Sequence, residues 1–144
     1  WEDKLRKVSD SFFISARDHK FGNTHYVQGK IKELLDGGLK VDRAVAIGCT
    51  YLIYSACEAT RAAGIKTTVA LNPIMVDGTG MCGACRCTVE GKTKFSCVDG
   101  PDFDGALVDF DEMSGRNRRF QKEERQALER FEAHCKLRGI PSGA

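Results

Sequence analysis

The chain has no apolar run long enough to cross a membrane and no basic-then-apolar leader, so neither a spanning helix nor a secretory signal is expected. It lacks a large charge of either sign. The 22 Lys and Arg against 20 Asp and Glu leave +2, too little to argue for a nucleic-acid partner. The strand-helix-strand half, up to residue 71, has no Gly-x-Gly-x-x-Gly and no P-loop, which removes from it the two commonest phosphate-cradling glycine loops. His19, His25 and His134 have no metal-ligand spacing and are read as structural. The second Cys-x2-Cys pair of a zinc ribbon is missing. Seven cysteines is an odd number, which argues against a disulfide framework and for a reducing, cytoplasmic setting. No initiator Met stands before Trp1, so the chain reads as a fragment or a processed product. No internal repeat is found.

What is present is more specific. Asp77-Gly78-Thr79-Gly80-Met81-Cys82-Gly83-Ala84-Cys85 is followed by Cys97, with four, two and eleven residues between Asp77, Cys82, Cys85 and Cys97. That is the plant-type [2Fe–2S] spacing with aspartate in the first ligand position. Each iron of such a cluster needs two protein ligands, and one glycine-rich loop can wrap the cluster and supply three. An Asp carboxylate is a harder donor than thiolate but still anionic. The fourth ligand arrives from a hairpin, Arg86–Val89 and Thr93–Cys97, joined through Glu90-Gly91-Lys92.

Other readings compete. Asp77-Gly78 is also a strong turn signal, which would leave Cys87 as the fourth ligand. Against this, Cys87 shares a strand face with Val89 and is expected in the core. A structural zinc site of Cys82, Cys85, Cys87 and Cys97, in an interaction module that docks through the last helix, is the alternative from another functional class. A nucleotide-binding regulatory fragment is a third. Cys49, Cys57 and Cys135 sit among apolar neighbours and read as buried thiols.

The 144 residues, 42% of them hydrophobic, suffice for one ordinary domain or two small ones. Residues 10–16 read as a buried strand, 24–36 as a helix ended by Gly37-Gly38, and 43–48 as a second strand. Residues 50–63 read as a helix, with Thr50 near its N-cap and Gly64 just past its end, and 66–71 as a third strand. This alternation predicts an α/β fold with a partial parallel sheet. Asn72-Pro73 breaks it and sets a domain boundary. Residues 100–111 read as an extended acidic wrap. A last helix is expected over about 115–138, with Phe120, Ala127, Leu128 and Phe131 on one face and Gly139 and Pro141 as stops. Arg116, Arg118, Arg119 and Lys122 in that helix read as a solvated face. The expected organisation is 1–71, the C-terminal half of a nucleotide-binding domain; 72–112, a small [2Fe–2S] domain; and 113–144, a helical tail. The turn Gly48-Cys49-Thr50 follows a strand and opens a helix, where an open α/β sheet seats its ligand.

Asn72-Pro-Ile-Met-Val-Asp77-Gly-Thr-Gly-Met-Cys82-Gly-Ala-Cys85-Arg86, continued by Phe95-Ser-Cys97-Val-Asp-Gly-Pro-Asp-Phe-Asp-Gly105 and Val108-Asp-Phe-Asp111, resembles the small FAD-carrying subunit of NADH-dependent ferredoxin:NADP oxidoreductases. That subunit is also known as a sulfide dehydrogenase subunit and is related to the electron-transfer subunit of dihydroorotate dehydrogenase. The resemblance is close over 65–112 and looser over 10–64. It implies an FAD-binding barrel, an NAD(P)-binding domain and a C-terminal [2Fe–2S] domain, of which this chain looks like the last part. It implies Asp77, Cys82, Cys85 and Cys97 as cluster ligands, while Gly48, Cys49 and Thr50 read either as a nucleotide-facing turn or as a plain strand-to-helix turn. The family's glycine–proline turn reads Gly48-Cys49-Thr50 here, and its Asp- and Gly-rich stretch reads Ser15-Ala-Arg17-Asp-His19-Lys20-Phe-Gly22. Arg17 and Lys20 read either as contacts for a nucleotide phosphate or as a plain solvated surface. The implied role is an electron relay in an NAD(P)H-dependent oxidoreductase. Its partner would be a larger flavin and Fe–S subunit, in a heterodimer or larger assembly, with ferredoxin as a further partner, and the fragment alone would have no turnover.

Overall fold

The computed structural model describes residues 1–15 and 26–137. The expectations placed on Arg17, His19, Lys20, His25, Gly139 and Pro141 lie outside those residues.

The first element, α1 (Glu2–Val8), has no counterpart in the reading of the sequence. It buries no side chain and carries Glu2 and Asp3 in its first turn and Arg6 and Lys7 in its last, the charge order that a helix dipole favours. Arg6 pairs with Glu2 at 2.9 Å. The expected strand over 10–16 is not formed across its described residues 10–15. Instead, the Phe12 ring lies 4.8 Å from the Arg6 guanidinium and the Phe13 ring 4.8 Å from the Lys30 ammonium. Short apolar runs are ambiguous, and here cations cover the rings that a strand would have turned into the sheet.

The helix α2 (Val27–Asp36) and the βαβ unit β1 (Arg43–Ile47), α3 (Thr50–Ala62) and β2 (Lys66–Ala70) follow the expectation to within a few residues. Both helices close with the same device. Leu39 N–H bonds Leu34 C=O and Gly38 N–H bonds Leu35 C=O; Ile65 bonds Thr60 and Gly64 bonds Arg61 in the same way. Gly38 and Gly64 hold the left-handed residue of each motif. Strand β1 pairs parallel with β2, Arg43 opposite Lys66 and Ile47 opposite Ala70, and α3 makes the crossover.

The hairpin β3 (Arg86–Val89) and β4 (Lys92–Phe95) turns through Glu90 and Gly91, both at positive φ, as a two-residue hairpin loop requires. Beyond it the acidic stretch is not a simple wrap. Strand β5 (Asp102–Asp104) pairs antiparallel with β2, so the sheet order is β1-β2-β5. The helix α4 (Phe110–Asn117) then begins well before residue 115, and a turn at 118–120 separates it from α5 (Gln121–Leu137). The acids read as a wrap are helix-start signals: Asp109 Oδ1 accepts the Glu112 N–H at 2.8 Å, and Asp111 and Glu112 occupy the first turn. Along α5, Leu128 and Phe131 stay more than half exposed. No described helix is long and apolar enough to cross a membrane.

One core runs through the middle of the described chain. Ala46, Ile53, Ala56, Cys57, Val69, Leu71, Cys87, Val89 and Met113 form it, joining sheet, α3, hairpin and α4. The segment after Asn72 is thereby tied to the βαβ unit through β5 and through the hairpin. Gly105 sits at the tightest point. Its N–H bonds Thr67 C=O at 2.8 Å, and a Cβ there would collide with Cys57 Sγ and lie 2.9 Å from Val69 Cγ1. Gly105→Ala is therefore expected to destabilise the fold by roughly 1–3 kcal/mol, the usual cost of overpacking. Urea denaturation of the variant measures this, and an unchanged midpoint would contradict the close packing of α3 on β2.

Candidate metal centre

The loop between β2 and β3 is organised around Asp77. One carboxylate oxygen accepts the Thr79 N–H at 2.9 Å and the other the Cys82 N–H at 2.8 Å. The side chain is exposed. These donors, Thr79 first, hold its pKa below the ordinary carboxylate value, and the Cys82 thiol reaches the same carboxylate. Asp77 is thus the turn-former that its Asp-Gly pair announces. Each carboxylate oxygen still keeps a free lone pair.

Next come the thiols. Cys82 is exposed, and its Sγ accepts the Ala84 N–H at 3.4 Å. Cys85, at the entry to β3, is only 2% exposed. Its Sγ lies 3.2 Å from Cys97 Sγ, in the turn after β4. This is a contact between free thiols, well beyond the ~2.05 Å of a disulfide. The Ser96 N–H bonds Cys85 C=O at 3.2 Å and ties the hairpin turn to the loop. The pKa of Cys97 is raised, first by its hydrogen bond with Cys85, while the Gly80 N–H pulls it down and the charge of Asp77 pushes it up. Gly80, at φ +83°, brings its backbone so close to the hairpin turn that a Cβ would stand 2.9 Å from Val98 Cγ2. The structure thus brings together two pairs, Asp77 with Cys82 and Cys85 with Cys97, and the charge of Asp77 reaches Cys97. Among the described residues, no three of His, Cys, Asp or Glu converge as a cage for a single ion.

Cys87 faces elsewhere. It is 1% exposed, with its Sγ 3.4 Å from Ser96 Oγ and 3.7 Å from Lys94 C=O. Burial pushes its thiol pKa up. Cys57 and Cys135 are buried as expected, and burial likewise raises Cys57. Cys49 departs from expectation. It is exposed, because it caps α3 at the open end of β1 instead of packing beneath the helix.

The Gly48-Cys49-Thr50 turn does stand at the carboxyl end of a parallel strand. Neither Cys49 nor Thr50 caps α3 through its side chain; Cys49 is the N-cap and Thr50 the first helical residue, next to it as expected. Thr50 Oγ1 instead donates to Asn72 Oδ1 at 3.3 Å and accepts from Asn117 Nδ2 at 2.9 Å. The turn is thus bound to the first residue of the cysteine-bearing segment and to the end of α4.

Reading the sequence also missed the cations at the loop. Arg86 Nη1 donates to Gly83 C=O at 3.0 Å, and Arg116 Nη2 donates to Ala84 C=O at 3.4 Å. Arg116 is half-buried, not part of a solvated face. The adjacency of Arg86 to the motif was the available signal. Arg116 gave none, since its contact spans 32 positions.

Residues 72–109 match the family model of the iron–sulfur cluster binding domain of dihydroorotate dehydrogenase B. The chain is 40% identical over 129 residues to a Thermotoga maritima homologue of the dihydroorotate dehydrogenase B (NAD(+)) electron transfer subunit, covering 90% of this chain and 45% of that protein. It is 44% identical over 128 residues to an uncharacterised Clostridium beijerinckii protein from the adh 3′ region, covering 88% of this chain and 43% of the other. Among solved structures it resembles a chain of the NADH-dependent reduced ferredoxin–NADP oxidoreductase, a structure described for insights into flavin-based electron bifurcation. The TM-score is 0.65 and the identity 45%, over 73% of this chain and 38% of that one. The chain spans less than half the length of each of these relatives. The resemblance read from the sequence is borne out: the chain is homologous to the electron-transfer subunit, and its mixed α/β fold is that of a flavin and iron–sulfur oxidoreductase relative.

Proposed function

We propose that Asp77, Cys82, Cys85 and Cys97 hold a [2Fe–2S] cluster through which this polypeptide, as part of a longer one, relays electrons. The observation that carries the reading is the 3.2 Å approach of Cys85 and Cys97, one at the end of the loop and the other in the hairpin turn. The second pair is Asp77 with Cys82, joined by the Cys82 N–H. Two such pairs match two irons with two protein ligands each. The donor set fits the group: three thiols, one carboxylate held ionised, and loop amides of Gly80 and Ala84 already aimed at sulfur. The cluster supplies one-electron transfer when bound. The residues around it position the donors and let the glycine backbone approach closely.

In the same proposal, Gly48, Cys49 and Thr50 face a nicotinamide nucleotide, NAD or NADP, because they occupy the end of the sheet where such ligands sit. The longer protein would add an FAD-binding barrel and work with a larger flavin and Fe–S subunit, with ferredoxin as a further partner and the cytoplasm as its setting. Residues 1–71, 72–112 and 113–144 would be its nucleotide-binding half, cluster domain and helical tail.

Iron, zinc and acid-labile sulfide analysis of anaerobically purified protein tests this. Two irons and two sulfides per chain, with a visible spectrum that bleaches on dithionite reduction, are expected. One zinc without sulfide would replace the relay with a structural staple.

A further inference from the structure

We infer that Arg116 and Glu112, one turn apart on α4, are an opposed pair of charges that sets the reduction potential of the proposed centre, Arg116 raising it and Glu112 lowering it. The inference rests on the cluster reading above and adds to it two residues outside the loop.

The helix α4 packs against β3 and buries Met113 to 2% exposure. This places the face carrying residues 112 and 116 behind the cysteine loop. Arg116 Nη2 holds the Ala84 carbonyl at 3.4 Å, between Cys82 and Cys85. Arg86 holds the preceding carbonyl, that of Gly83, at 3.0 Å. The Gly83 carbonyl belongs to the same peptide group as the Ala84 N–H, which points at Cys82 Sγ. A guanidinium on that oxygen polarises the N–H toward the sulfur. The two arginines thus act on consecutive peptide groups between two of the proposed ligands, one from the loop's own flank and one from a distant helix.

Glu112 supplies the counterweight. Its Oε2 is buried and has no hydrogen-bond partner. The side chain lies within electrostatic reach of both Arg116 and Cys87. Burial, followed by the neighbouring Arg86 and Arg119, lowers the pKa of Arg116, and a guanidinium remains protonated at neutral pH all the same. Of the other charges, Asp77 acts on Cys97, Arg86 lies on the loop, Arg119 acts on Arg116, and Asp99 acts on Cys87. One-electron reduction adds one negative charge there. A nearby fixed cation favours the reduced form and a nearby anion disfavours it, more strongly where water is excluded.

The test is an anaerobic redox titration of the iron-loaded protein, with dithionite as reductant and the electron paramagnetic resonance signal of the reduced state as readout. Arg116→Gln is expected to shift the midpoint to more negative potential and Glu112→Gln to more positive potential. Arg116→Lys should restore most of the wild-type value, and Arg119→Gln, on the exposed side, should move it least. A purely structural role would loosen the loop in both variants and shift them together. Same-direction or absent shifts in iron-loaded variants overturn the inference and leave the cluster reading intact. If the wild-type protein holds no iron and sulfide, the cluster reading falls and the inference with it. Should Arg116→Gln fail to assemble the centre, the upward shift of Glu112→Gln decides alone, and an unshifted midpoint there sinks the inference.

Discussion

Cys85→Ser is expected to abolish the visible spectrum of the anaerobically prepared protein and most of its iron, while Cys87→Ser leaves both near wild type. The two residues are two positions apart and both almost fully buried, and they differ in what their sulfurs meet. Cys85 Sγ meets Cys97 Sγ at 3.2 Å, on the side of the Asp77–Cys82 loop. A serine hydroxyl at that position is a poor anion at neutral pH and a poor partner for iron that favours thiolate. Cys97→Ser and Cys82→Ser should act in the same direction. Cys87 Sγ instead meets Ser96 Oγ and the Lys94 carbonyl inside the core. There a serine finds hydrogen-bond partners already in place, so its cost is confined to stability, about 1 kcal/mol for a small buried polar exchange. Metal analysis with thermal denaturation separates the two effects. Loss of iron from Cys87→Ser together with its retention in Cys85→Ser would exchange the roles of the two cysteines.

What was legible in the sequence was local. Gly38 and Gly64 end their helices because the left-handed residue of the closing motif falls on them, and a short window contains that whole signal. Glu90-Gly91 was legible for the same reason. The iron–sulfur domain was legible because its motif is a run of neighbouring residues, and residues 72–109 match that domain. What was not legible depended on partners far along the chain. Phe12 and Phe13 resemble a strand until Arg6 and Lys30 are placed against them. The start of α4 lay hidden among aspartates that serve equally in a loop, and only the Asp109–Glu112 bond settles the matter. Cys49 has apolar neighbours in sequence but none over it in space. Arg116 resembles its exposed neighbours Arg118 and Arg119, and differs from them because α4 lies against β3 and turns that one side chain toward Ala84.

Asp77 separates turn geometry from ligation, and three substitutions there are expected to rank in one order. Its carboxylate shapes the loop through Thr79 and Cys82, as any turn-forming aspartate does. Asp77→Asn keeps one oxygen for the Thr79 N–H, but its amide nitrogen cannot accept from Cys82, and the negative charge is gone. If Asp77 only formed the turn, Asn would keep nearly all the iron and Ala would lose some of it through a looser loop. As a ligand, Asp77 must supply an anion, so Asn should fall almost as low as Ala. The lowered pKa strengthens the expectation: with the Thr79 amide as the largest cause, the carboxylate stays ionised below the usual range and has no proton to displace at neutral pH. Asp77→Cys supplies an anionic thiolate at the same position in the spacing. It should recover iron and sulfide toward two of each per chain, with an altered visible spectrum, because a soft donor has replaced a hard one. The expected order of iron content is wild type, then Cys, with Asn and Ala together far below. Asn at the wild-type level, with Cys no better than Ala, would make Asp77 a turn residue and reopen the search for the fourth ligand.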